Sequence, residues 1–142
     1  MGECYVTSFC RVVAHKDLQH VADLVNGSGY YSPVTPEMLV NLDVYVAKIG
    51  VEIVACAVSI RQGTHAYLDY LCVAFQHSGM GVSVHLLDFI SQDMLAIGVR
   101  YVHACVNGTN SAAAKLSTRY HAKVGFPYLN VFIDLEESRG KL

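Results

Sequence analysis

Two hydrophobic periods share this chain, and after Ala74-Phe75 a block of strand period gives way to a helical one. Residues 44–49 and 52–61 flank Gly50, and 65–73 follow the turn Gln62-Gly63-Thr64; all three read as strands, the first two as an antiparallel hairpin. Along the third, Tyr67, Asp69, Leu71 and Val73 share one face, with Ala66, Leu68, Tyr70 and Cys72 on the other, because strand side chains alternate. An acid on an otherwise apolar strand stands out. After Ala74-Phe75 the turn Gln76-His77-Ser78-Gly79-Met80-Gly81 leads into Val82, Leu86, Leu87, Ile90, Met94 and Ile97, a helical stripe that ends at Gly98.

The remaining segments fill in around this change. Residues 5–13 predict a strand, and 16–25 a helix carrying Leu18, Val21, Ala22 and Val25, stopped by Asn26-Gly27. A loop over 26–36 holds Tyr30 and Tyr31, then a short helix starts with Thr35 as N-cap and Pro36 at its first position. Residues 100–106 predict a strand, Asn107-Gly108-Thr109-Asn110 a loop, 111–123 an alanine-rich helix and 128–135 a last strand. The order predicts a mixed α+β fold, a sheet with helices on it.

Composition narrows the function classes. A chain of 142 residues is a single domain spanning 1–142, and with 53% apolar residues it buries a full core. Ten Lys and Arg against twelve Asp and Glu leave a charge of −2, without the basic excess of a nucleic-acid binder. No apolar run approaches the roughly 18–20 residues of a membrane span. The N-terminus shows no basic segment before an apolar block, so the expectation is a soluble cytoplasmic protein. Cys4, Cys10, Cys56, Cys72 and Cys105 form no CxxC pair, and no HExxH helix pair occurs; reduced core thiols and no metal are expected.

The strand, glycine turn and helix over 73–87 carry the chemistry. Glycines let backbone approach a ligand, and free N–H groups at a helix start favour an anion. No Gly-Lys-Ser/Thr follows, which excludes a nucleotide-triphosphate loop, and the three spaced glycines of the dinucleotide fingerprint are lacking.

Leu71-Cys72-Val73, Ser78-Gly79-Met80-Gly81-Val82-Ser83, Leu86-Leu87, Asn110 with Ala113, and His121 four residues before Gly125-Phe126 occur in that order. On these residues the chain resembles the GNAT superfamily of acetyl-CoA-dependent N-acetyltransferases, from about Phe9 to Leu135. The resemblance implies a mostly antiparallel twisted sheet of about six strands, splayed between the fourth and fifth, with about four helices. It implies acetyl-CoA bound by Leu71, Val73, Ser78, Gly79, Gly81, Val82, Ser83 and Asn110. It also implies direct acetyl transfer to the primary amine of a small molecule or protein.

Two departures qualify the match. Ser78 stands where relatives carry Arg or Gln, and Ser83 where they carry Gly or Ala. A literal Gln76-xx-Gly79-x-Gly81 exists two residues earlier but puts Leu86-Leu87 out of step. The loop then lacks a cation, and main-chain amides must hold the pyrophosphate. His121 occupies the place of the family's acid, usually a tyrosine, with Tyr120 one step earlier; either suits protonation of the departing thiolate. Asp69 is the candidate acceptor of the amine proton, and Tyr30 and Tyr31 the candidate walls of the acceptor pocket. The alternative is a degenerate member that binds an acyl-CoA or a protein partner without turnover. Only residues 136–142 follow the last strand, so its edge stays uncovered; with few charges on the surface, a homodimer is expected.

Overall fold

A computed structural model of the chain describes residues 6–29, 31–106 and 129–138. The sheet has six strands in the order β1-β2-β3-β4-β5-β6. These are β1 (Ser8–Arg11), β2 (Asp43–Ile49), β3 (Glu52–Gln62), β4 (His65–Val73), β5 (Tyr101–Val106) and β6 (Leu129–Asp134). The described helices are α1 (His15–Gly27), α2 (Pro36–Leu39), α3 (Val82–Ala96) and α4 (Leu135–Ser138), with a 3-10 turn at Phe75–His77. Pairing is antiparallel for β1–β2, β2–β3 and β5–β6 and parallel for β4–β5. The parallel pair follows from α3, because strands joined through a helix can run in the same direction while a tight turn forces them to reverse. The fold is mixed α+β, as the sequence predicts. The helix expected over 111–123 lies outside the described residues.

The chain divides into two compact units, Met1–Ser59 with Tyr70–Ile90, and Ile60–Asp69 with Ser91–Leu142. In the first, α1 buries Leu18, Val21, Ala22 and Val25, one face at helical spacing. They pack with Val34, Leu39, Val44, Val46, Cys56, Val58 and Cys72 in one core. α1 extends through Asn26 and Gly27, past the predicted stop. Asn26 explains this: its Nδ2 donates to the Val34 carbonyl at 2.9 Å and its Oδ1 accepts the Val34 N–H at 2.8 Å. The side chain that suggested a helix end thus also ties down the loop beyond it. Thr35 is the extended N-cap of α2 and Pro36 its first residue, although Thr35 makes no side-chain cap bond. Phe89 of α3 stacks on Phe9 at 5.7 Å and meets the Tyr45 ring edge-on at 6.2 Å.

In the second unit α3 ends at Ala96, and Gly98 just beyond it has a φ of 94° in the left-handed region that glycine enters without strain. Met94, Val99, Val102 and Leu135 are buried there, while Ile97, counted in the predicted stripe, is 40% exposed. The last strand stops at Asp134 because the Asp134 carboxylate accepts the N–H groups of Glu136 and Glu137 and starts α4. The Arg100 guanidinium donates to the same carboxylate at 3.2 and 3.4 Å. Among the described residues Cys10, Cys56 and Cys72 are free thiols.

Candidate active site

β4 is the central element. Its register with β5 runs His65↔Tyr101, Ala66↔Val102, Tyr67↔His103 and Leu68↔Ala104 and stops there. Both strands continue, β4 through Val73 and β5 through Val106. The ladder is therefore short, as the resemblance implies for a splayed pair.

Within the first unit, Leu71 and Val73 are half-buried on the last part of β4. The Tyr31 hydroxyl lies 3.5 Å from both the Leu71 N–H and the Leu71 carbonyl, at the outer limit of a hydrogen bond. The Tyr31 ring meets Tyr70 edge-on at 4.9 Å. Burial, followed by the nearby Cys72 thiol, pushes the Tyr31 phenol above its ordinary range. Tyr31 thus sits on the backbone of a residue that the resemblance assigns to the cofactor.

The turn after β4 is built from main chain. Gly79 and Gly81 both have φ of 77°, a conformation that costs an L-residue roughly 1–2 kcal/mol. A Cβ on Gly81 would meet His85 Cδ2 at 3.9 Å, so the glycine answers to backbone geometry rather than to crowding. The first intrahelical bond of α3 is His85 N–H to the Gly81 carbonyl at 3.2 Å. The N–H groups of Val82, Ser83 and Val84 therefore have no acceptor within the helix. Ser78 turns back, its hydroxyl donating to the Phe75 carbonyl at 2.8 Å. These donors fit an anionic group: they are consecutive, they sit at a helix start, and the helix dipole favours negative charge there.

Within the second unit, Asp69 is exposed on β4. Partial burial of its carboxyl holds its pKa above the ordinary 3.8. Below it on the same face stands a cluster that the sequence reading missed. Tyr67 stacks on His103 at 4.8 Å and His65 on His103 at 5.1 Å, while the His65 and Tyr101 rings lie 4.9 Å apart, tilted by 31°. His65 Nδ1 and His103 Nε2 are 2.8 Å apart, so the bond between them needs one nitrogen without its proton. Burial, and then the His65 charge, hold His103 below 6.5. Each of these residues looked solitary because the pairing of β4 with β5, which brings them together, joins positions far apart in the chain.

Tyr30, Asn110, Tyr120 and His121 lie outside the described residues. No three His, Cys, Asp or Glu side chains gather as a metal-binding set among the described residues. No described helix is long and apolar enough to cross a membrane.

A parallel strand leading through paired glycines into a helix start defines an α+β protein that can hold an anion on main-chain donors. The Acetyltransferase (GNAT) family model matches residues 24–126. The chain belongs to that family and is an acetyltransferase of the GNAT type. No curated protein sequence matches it. Among solved structures it is similar to the diaminobutyrate acetyltransferase EctA of Paenibacillus lautus, in complex with L-2,4-diaminobutyric acid and coenzyme A; the TM-score is 0.73 at 19% identity, over 90% of this chain and 95% of that one. It is similar to the PaiA N-acetyltransferase of Thermoplasma acidophilum in complex with coenzyme A, with TM-score 0.75 at 14% identity over 90% and 99%. An N-acetyltransferase of Staphylococcus aureus gives TM-score 0.70 at 17% identity over 91% and 99%.

Proposed function

We propose that this chain is one catalytic domain that transfers an acetyl group directly from acetyl-CoA to a primary amine. The observation that carries the reading is the α3 start, where three consecutive main-chain N–H groups follow two glycines of positive φ. The pyrophosphate sits on the amides of Gly79, Gly81, Val82 and Ser83, and the main-chain groups of Leu71 and Val73 pair with the pantetheine arm. Tyr31 releases the Leu71 backbone when that arm enters, which its 3.5 Å contacts allow at little cost. Asn110 completes the cofactor side.

Asp69 takes a proton from the acceptor ammonium through water. The neutral nitrogen attacks the thioester carbon, a C–N bond forms and the C–S bond breaks. His121 or Tyr120 gives a proton to the departing thiolate, and the acetylated nitrogen returns its surplus proton through solvent to that acid, so neutral amide and free thiol leave and atoms and charge balance. The coenzyme supplies only the activated acetyl group, and the chain supplies position and proton transfer. Tyr30 and Tyr31 wall the acceptor side. The enzyme works in the cytoplasm as a homodimer; β1 and β6 end the strand order among the described residues, leaving edges that a second copy can pair with.

Calorimetry with acetyl-CoA, followed by a thiol-release assay over a panel of primary amines, tests this reading. Saturable binding and release of one thiol per acetylated amine are expected. Binding without any transfer would favour a degenerate member, and no binding would remove the reading.

A further inference from the structure

The cluster below Asp69 contains a motif of carboxylate, cation and ring. The Asp134 carboxylate holds the Arg100 guanidinium at 3.2 Å, and Arg100 Cζ lies 5.1 Å from the centroid of the Tyr101 ring. Desolvated cations gain from such a ring face, and a carboxylate beside it fixes their position. One pleat further along the same face of β4 stand a second ring and a second carboxylate, Tyr67 and Asp69. Tyr67 is 39% exposed, one of its faces is covered by His103, and Asp69 follows two residues later. Same-face neighbours on a strand stand about 6.6 Å apart. An ammonium can therefore reach the Tyr67 ring and an Asp69 oxygen together. The bond between His65 and His103 needs one unprotonated nitrogen, so the two imidazoles beside Tyr67 are not both charged while it holds.

Resting on the reading of Asp69 as the proton acceptor, we infer that the Tyr67 ring and the Asp69 carboxylate together form the seat of the acceptor's primary ammonium. The acceptor presents a primary ammonium, carried by a free alkylamine or by a lysine side chain. Tyr67 is a positioning residue in this arrangement. It holds the cation over its ring while Asp69 removes the proton.

The test is a nuclear magnetic resonance titration of the whole chain with n-butylammonium, and separately with an Nα-acetyl-lysine amide, each with coenzyme A in place of acetyl-CoA so that no acetyl group is transferred. The Tyr67 ring protons of the wild-type protein shift with saturation in at least one titration. The arm that saturates at the lower concentration assigns the source, free amine or lysine side chain. Tyr67→Leu weakens that binding by about tenfold, Tyr67→Phe keeps it within about twofold, and acetyl-CoA affinity by calorimetry is the same in all three proteins. The inference is overturned if the ring protons stay unmoved in both titrations, or if Tyr67→Leu binds as tightly as wild type. Should Tyr67→Leu fail to fold, the wild-type ring shifts and Tyr67→Phe still decide. Intact acetyl-CoA binding with no ring shift sinks this inference alone, whereas absent acetyl-CoA binding sinks the proposed function.

Discussion

At the scale of single residues, Asp69 and Tyr31 show how one side chain can serve two masters. Burial raises the Asp69 pKa above 3.8, so the folded protein binds this proton more tightly than the unfolded chain. Its contribution to stability is full below the ordinary carboxyl range and is lost as pH rises through the raised value. Asp69→Asn is therefore expected to melt at a higher temperature than wild type at pH 7 and to lose that advantage near pH 3. The same substitution lowers acetyl transfer about 10²-fold or more, and thermal melts beside thiol-release rates check both halves. Asp69 was legible in the sequence because an acid on an apolar strand is conspicuous. The seat of Tyr31 on the Leu71 backbone was not, since a loop tyrosine carries no local sign of which carbonyl and N–H it meets.

Elements were easier to read than contacts. The bounds predicted for the strand at His65–Val73 are those observed, and the glycine turn does open α3 at Val82, because periodicity and glycine placement are local properties. Where the reading fell short, distant partners decided: Asn26 bonded to Val34 and Asp134 capping α4. Phe89 was missed because its partners, Phe9 and Tyr45, come from the other end of the chain. The α3 start yields a prediction free of backbone strain. Ser83→Glu places a carboxylate where the helix dipole welcomes it, so thermal stability holds or rises, while acetyl-CoA affinity drops at least tenfold through repulsion of the pyrophosphate. Calorimetry and a melt on the same sample separate the two effects.

The β4–β5 pair carries a pH signature of its own. Burial and the neighbouring His65 charge hold His103 below 6.5, so the unfolded chain takes up this proton first as pH falls. The stability that the neutral imidazole contributes is complete above about 6.5 and declines as pH drops through that value. Amide protection in β4 and β5, after allowing for the slower intrinsic exchange at lower pH, is expected to fall between pH 7 and pH 5 by more than protection in β2 and β3. His103→Gln is expected to flatten that difference.

For the molecule as a whole, family membership and the six-stranded order rest on residues spread along the chain, which is why the fold was legible while the acceptor was not. Pairs such as Tyr67↔His103 have no trace in spacing, because strand pairing joins positions far apart in the chain. Light scattering at micromolar concentration is expected to give twice the chain mass of 15.5 kDa; the chain mass itself would end the homodimer. The central claim is that main-chain donors at the start of α3, unaided by a basic side chain at position 78, hold the coenzyme. Isothermal calorimetry of the intact protein with acetyl-CoA tests it most directly. One saturable site in the micromolar range, lost in Ser83→Glu and unchanged in Ser78→Ala, is the predicted result. No heat of binding at millimolar acetyl-CoA, or binding that survives Ser83→Glu, would contradict it.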